Sequence, residues 1–260
     1  MPLHHVRRGS GKPLLLVHGL GGSWRSWSPV LDDLAASREV VAVDLPGFGE
    51  TPPLPGEVTI ASLTDSVAEF IDELDLGAVD TVGSSMGARM VLELARRGVG
   101  GNCVALAPGG FWSDRELKVF SGSLRASLPL VRALRPALPR LLGNPVGRTA
   151  LLAQFSARPW ALSRDTVLPD LVGLATAPST GAALDALTRG PKQVGASVGT
   201  LPGRAVLGWG RRDLVTVPKQ ADRATALFPD ATLHWFEKCG HFPHWDAPAE
   251  TVELILKSTI

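Results

Sequence analysis

Gly83-Ser84-Ser85-Met86-Gly87 lies between an apolar run at residues 78–82 and a helical pattern at 86–97, and no other segment constrains the chain so tightly. A strand that turns at once into a helix strains the backbone of the residue at the corner. Glycine on either side removes the Cβ that would strike the neighbouring chain there. Ser85 is then held above the carboxyl edge of a sheet, at the positive end of a helix. This spacing is that of a G-x-S-x-G nucleophile elbow, which makes Ser85 the candidate nucleophile.

A serine hydroxyl is a weak nucleophile until a base takes its proton, and the base must itself be oriented. With this motif the partners follow in the order serine, acid, histidine, each just past a later strand. Residues 205–210 read as a buried strand with Asp213 beyond it, and residues 232–236 as another with His241 beyond it. Asp222 falls in a helical pattern and Asp230 before a strand, on the wrong side for the site. His244 follows His241 by one turn and reads as a rim or packing residue. Acyl transfer also needs two N–H groups aimed at the developing oxyanion. Met86, directly after the nucleophile, supplies one. The second is expected from the loop after an early strand at 14–17, His18-Gly19-Leu20-Gly21-Gly22, with Leu20 as donor. His18 could serve as a second base, but beside Gly19 it better suits holding that loop in shape.

Taken together, His18 to Gly22, Asp44-Leu45-Pro46-Gly47-Phe48-Gly49, the elbow, Asp213, Gly240-His241 and Asp246-Ala247-Pro248 give the chain a resemblance to the α/β-hydrolase superfamily over nearly its whole length. The resemblance implies a serine hydrolase of the esterase or lipase kind that needs no cofactor and no metal. Ser85 would be the nucleophile, His241 the base, Asp213 the orienting acid, and the Leu20 and Met86 amides the oxyanion hole. The serine at the elbow is unlike the haloalkane dehalogenase and epoxide hydrolase branches, which place aspartate there. Carbon–carbon bond hydrolysis, cyclisation or acyl transfer on the same triad stay open, as does a quiet ligand-binding homologue.

Strand and helix patterns alternate, as a mostly parallel central sheet flanked by helices requires. Strands are expected at 3–8, 14–17, 40–43, 78–82, 103–107, 205–210 and 232–236. Helices are expected at 24–36, 60–74, 86–97, 218–227 and 248–257. In the second helix Leu63, Val67, Phe70, Ile71 and Leu74 form one apolar face. From Pro108 to Gly203 no such strand is evident. The expectation is a hydrolase core at 1–108 and 203–260 with a helical cap or lid inserted at 109–202. Phe111, Trp112, Phe155 and Trp160 are candidates to line the cap's underside.

The stretch from Ser121 to Trp160 carries six arginines (125, 132, 135, 140, 148 and 158) and no acidic residue. Such a face either steers an anionic ester or thioester carrier to the site or is simply solvated. A net charge of +1 gives no overall pull toward nucleic acid. No apolar run reaches the ~20 residues of a transmembrane helix. No signal-peptide pattern follows Met1, so a cytoplasmic monomer or homodimer acting on a small molecule is expected. Cys103 in a strand and Cys239 in the histidine loop do not suggest a disulfide. A bulky reagent at Cys239 is expected to impair the enzyme, and Cys239→Ala to leave it active.

Overall fold

Leu15 and Val17 point to one side of the strand β2 (Pro13–Val17), Leu14 and Leu16 to the other, and all four are fully buried. A strand with no wet face belongs inside a sheet covered by helices on both sides. In the computed structural model, which describes residues 2–259, β2 lies third in a seven-stranded sheet of order β1-β3-β2-β4-β5-β6-β7. The other strands are β1 (His5–Arg8), β3 (Glu39–Val43), β4 (Asp80–Ser84), β5 (Cys103–Leu106), β6 (Ala205–Gly210) and β7 (Thr232–Phe236), with β3 and β4 flanking β2. The edge strand β1 runs antiparallel to β3, and every other pairing is parallel.

One face is covered by α1 (Ser28–Ala35) and α11 (Pro248–Ser258), whose Val30, Leu31, Leu34 and Ile255 pack on Leu14, Leu16, Val82 and Val104. The other carries α2 (Ile60–Glu73), α3 (Met86–Arg96) and α9 (Lys219–Leu227). A capping box between Thr59 and Ser62 starts α2, and Leu63, Val67, Phe70 and Ile71 are its buried stripe. The expected helix at 24–36 is divided: a 3-10 turn over Trp24–Trp27 precedes α1. Pro29 sits in the first turn of α1, where its missing N–H breaks a continuous α-helical ladder. The elbow strand runs two residues later than the apolar pattern suggests, because its ladder with β5 continues to Ser84 opposite Leu106.

From β2 the chain moves to β3 on one side, then crosses back over β2 to β4 on the other. The carboxyl ends of β2 and β4 therefore meet at a topological switch point, where open α/β sheets bind ligands. Between β5 and β6 lie five α-helices, α4 (Asp114–Leu134), α5 (Leu138–Leu142), α6 (Pro145–Leu152), α7 (Arg164–Thr176) and α8 (Thr180–Arg189), with two short 3-10 turns at Arg135–Ala137 and Pro159–Ala161. A short α10 (Pro243–Asp246) precedes α11. None of the described helices is long and apolar enough to cross a membrane.

Candidate active site

Ser85 joins β4 directly to α3 with φ 55° and ψ −108°, a conformation L residues avoid. Its N–H donates to the Leu106 carbonyl at 2.9 Å, which pins the corner to β5. A Cβ on Gly83 would come within 2.3 Å of the Gly87 carbonyl oxygen, and one on Gly87 within 2.2 Å of the Val17 oxygen. Both obstacles are backbone and cannot rotate away. Gly87→Ala is thus expected to cost about 3 kcal/mol, the upper end of overpacking penalties. A thermal melt should show Tm lower by roughly 6–12 °C.

From Ser85 a chain of hydrogen bonds leads inward. His241 Nε2 lies 2.9 Å from Ser85 Oγ, and His241 Nδ1 lies 2.9 Å from Asp213 Oδ2. Asp213 is buried and saturated. Its Oδ1 accepts the Val215 N–H at 2.7 Å and the Thr216 N–H at 2.9 Å, while Oδ2 also accepts the Thr216 hydroxyl at 2.7 Å. The His241 N–H donates to the Phe155 carbonyl at 2.8 Å. Asp246 ties the same loop down, accepting from the Gly240 and Ala157 N–H groups and from the Ser156 hydroxyl.

Above Ser85 and His241 is a cavity with about 680 Å³ of empty volume, counting its mouth. The inserted helices supply Phe120 and Leu124 from α4, Leu152 from α6, Leu171 and Leu174 from α7 and Leu187 from α8, while Leu20, Phe155 and Phe242 line it from loops. Of the aromatic residues expected there, Phe155 is present and the other three are elsewhere. Phe111 packs edge-on against Trp209 and Phe228 at the sheet. Trp112 stacks behind the lining residue Phe120, and Trp160 stands 54% exposed on a 3-10 turn. Aromatic type alone does not distinguish filling the sheet–helix seam from facing the cavity. The apolar period of Phe120, Leu124, Leu128 and Val131 is the signal that marks the inward face of α4.

Residues 14–254 match the profile described as "Alpha/beta hydrolase family". The chain belongs to the alpha/beta hydrolase family. An uncharacterized protein of Mycobacterium tuberculosis is 27% identical, over 97% of this chain and 78% of its own. A 2-hydroxymuconate semialdehyde hydrolase of Pseudomonas sp. (strain CF600) is 27% identical, over 95% of this chain and 86% of its own. Among solved structures, a thermophilic esterase from Thermogutta terrifontis superposes with a TM-score of 0.70 at 20% identity, covering 98% of this chain and 92% of that one.

The other histidines of this alpha/beta hydrolase that lie near the site are built as packing groups. His18 is fully buried, its Nδ1 on the Gly19 carbonyl at 2.7 Å and its Nε2 accepting the Leu45 N–H at 2.9 Å. It holds the Gly19–Leu20 loop to the loop after β3, and burial lowers its pKa. His244 packs at a tilt against Trp27 and lines the cavity, and burial, with His241 nearby, pushes it down to about 3, so it stays neutral. Arg89 in α3 holds the Pro191 carbonyl and the Gln193 side chain.

The arginine stretch lies outside the cavity wall. Arg125 pairs with Asp185, Arg132 with the Ala175 carbonyl, Arg148 with the Leu142 and Trp160 carbonyls, and Arg158 with the Asp246 carbonyl. Cys103 and Cys239 are buried and free, and burial pushes both thiols up to about 12. Contrary to the sequence expectation, a bulky maleimide should modify neither thiol in the folded enzyme and both after unfolding. Intact-mass measurement checks this, and rapid native labelling of Cys239 would contradict it.

Proposed function

We propose that this enzyme cleaves a carboxylic ester or thioester through an acyl-enzyme, with Ser85 as nucleophile, His241 as general base and Asp213 as orienting acid. The observation that carries the reading is the unbroken Ser85 Oγ–His241–Asp213 relay, at 2.9 Å for each step. With Nδ1–H donated to Asp213, His241 presents an unprotonated Nε2 to the serine proton. Oγ then attacks the substrate carbonyl carbon, and the imidazolium formed is stabilised by the buried carboxylate.

Negative charge on the former carbonyl oxygen would fall to the Met86 and Leu20 amides. Met86 is the first residue of α3, so its N–H has no acceptor within the helix. Gly19 packs so closely on the elbow that a Cβ there would lie 3.2 Å from Ser85 Cβ, a contact that supports the next amide, Leu20, as the second donor. His241 next protonates the leaving alcohol or thiol. Water, deprotonated by the same Nε2, attacks the acyl carbon and releases Ser85. Helices α4 to α8 act in this reading as the cap, covering the acyl-enzyme with an apolar roof.

Carbon–carbon bond hydrolysis is the alternative that the 2-hydroxymuconate semialdehyde hydrolase suggests. The substrate in that name carries a carboxylate. The cavity wall here offers the carboxyl of Asp170 and, among the described residues, neither lysine nor arginine. Ester cleavage of an uncharged acyl group is the better fit. A fluorophosphonate should label the wild type at Ser85 and spare Ser85→Ala, and short p-nitrophenyl esters should turn over only with the wild type. Absence of both labelling and turnover would favour a quiet ligand-binding homologue instead.

A further inference from the structure

Among the described residues Asp170 is the one carboxyl in the cavity wall, and it arrives from the inserted helices rather than from the rest of the fold. Helix α7 rests directly on the loop after β2: a Cβ on Gly173 would come within 2.2 Å of the Gly21 oxygen, and one on Gly21 within 2.8 Å of Leu174. This close seat places Asp170 over Ser26 in the 3-10 turn. Ser26 Oγ donates to Asp170 Oδ1 at 2.6 Å and accepts the Ser23 N–H at 3.1 Å. The serine hydroxyl is thereby committed on both sides, and the carboxyl is fixed in orientation.

Ser26 is the hydrogen-bond partner of Asp170 among the described residues. A carboxyl has room for about four hydrogen bonds. Six leucines and three phenylalanines make up half of the remaining wall, and among the described residues no lysine or arginine lines it; of its two histidines, His241 is paired with Asp213 and His244 is held neutral by burial. Burial pushes Asp170 up to about 7, while the Ser26 hydrogen bond pulls the other way. A latch between α7 and the turn needs no charge, since asparagine would accept the same serine proton. What a carboxyl adds is an acceptor, anionic above neutral pH, turned toward whatever occupies the cavity.

We infer that Asp170 is a specificity residue that selects substrates whose apolar chain carries a hydrogen-bond donor, a hydroxyl or an amino group, and rejects those carrying a carboxylate. The inference rests on the proposal that this cavity is the substrate site. A donor on the ligand engages the carboxyl oxygen that Ser26 leaves free, whereas a carboxylate sets two anions together against a largely apolar wall. The selected chemistry is an uncharged or cationic chain, the opposite of an anionic acyl carrier held inside the cavity.

The test uses uncleaved N-methyl amides of medium-chain acids that differ only at the far end: methyl, hydroxyl, amino or carboxylate. Their Kd values are measured by calorimetry at about pH 8, above the Asp170 midpoint. The wild type should bind the hydroxyl or amino amide about 10- to 100-fold more tightly than the methyl one, the range of a hydrogen bond to a charged group. The carboxylate amide should bind weakest. Asp170→Asn, which keeps the Ser26 hydrogen bond, should lose the amino preference and recover carboxylate binding by about tenfold or more. Comparison of the hydroxyl and amino arms identifies which donor is read. Equal affinities across the series, binding by none of the four amides, or a ranking unchanged in Asp170→Asn overturns the inference. Fluorophosphonate labelling of the same wild-type preparation reports separately on catalysis. Labelled Ser85 with no discrimination sinks the role of Asp170 alone, and discrimination without labelling sinks the serine-hydrolase proposal alone.

Discussion

Ser85→Ala is expected to lower kcat for p-nitrophenyl esters by about 10⁵- to 10⁶-fold, and His241→Ala by a similar factor. The two losses should not multiply. Ser85 Oγ and His241 Nε2 lie 2.9 Å apart, and in the proposed mechanism they share one proton, so removing either end removes the same step. The double variant should therefore match the weaker single variant within about tenfold. Any rate that remains would come from the amides of Leu20 and Met86 and from binding, neither of which depends on the serine side chain. Steady-state kinetics on the two single variants and the double one checks the claim. Losses that multiply would mean that the two side chains act in separate steps, and the relay would not be the engine of catalysis. The variants should fold normally, because each substitution leaves the two elbow glycines and the Asp246 clamp untouched.

Much of this site is legible in the sequence because its constraints are local. The elbow needs glycine at 83 and 87 for reasons of backbone contact alone, and both contacts are there. Asp213 and His241 can be placed because each follows a strand whose apolar run is unmistakable, and parallel strands deliver their carboxyl ends to one edge. Thr216 was within reach too, since an aspartate that accepts N–H groups two and three residues on is a local turn pattern. The cavity wall is different in kind. Whether Phe111 turns to the sheet or Trp112 to the back of Phe120 depends on how α4 leans on the core, which no short window contains. The Ser26–Asp170 contact joins residues 144 positions apart, and neither belongs to a recognisable motif. Asp246 illustrates a third case. Asp246-Ala247-Pro248 is visible as a helix start, but its carboxylate is spent on joining the histidine loop to Ser156 and Ala157 of the inserted segment.

Asp213→Asn is expected to lower kcat by about 10⁴-fold while leaving Tm nearly unchanged, and the reason lies in which atoms face the carboxylate. Its Oδ1 accepts two main-chain N–H groups, from Val215 and Thr216, that cannot turn away. An asparagine must keep its carbonyl oxygen on that side, because an NH₂ there would oppose two donors. The NH₂ is then left on the side of His241 Nδ1, 2.9 Å from the ring in the parent enzyme, where it can only donate. The imidazole would have to carry its proton on Nε2, the atom that must accept from Ser85. Geometry would survive and the tautomer would be wrong. Nitrogen chemical shifts of the His241 ring should show the exchange of protonated and unprotonated positions between wild type and variant. The Thr216 hydroxyl, which donates to Oδ2 at 2.7 Å in the parent, could turn toward another acceptor such as the Ala107 carbonyl at 3.4 Å, so folding need not suffer. Turnover within tenfold of wild type, with the ring still protonated at Nδ1, would mean that the orienting acid is some other group and that Asp213 serves only its own turn.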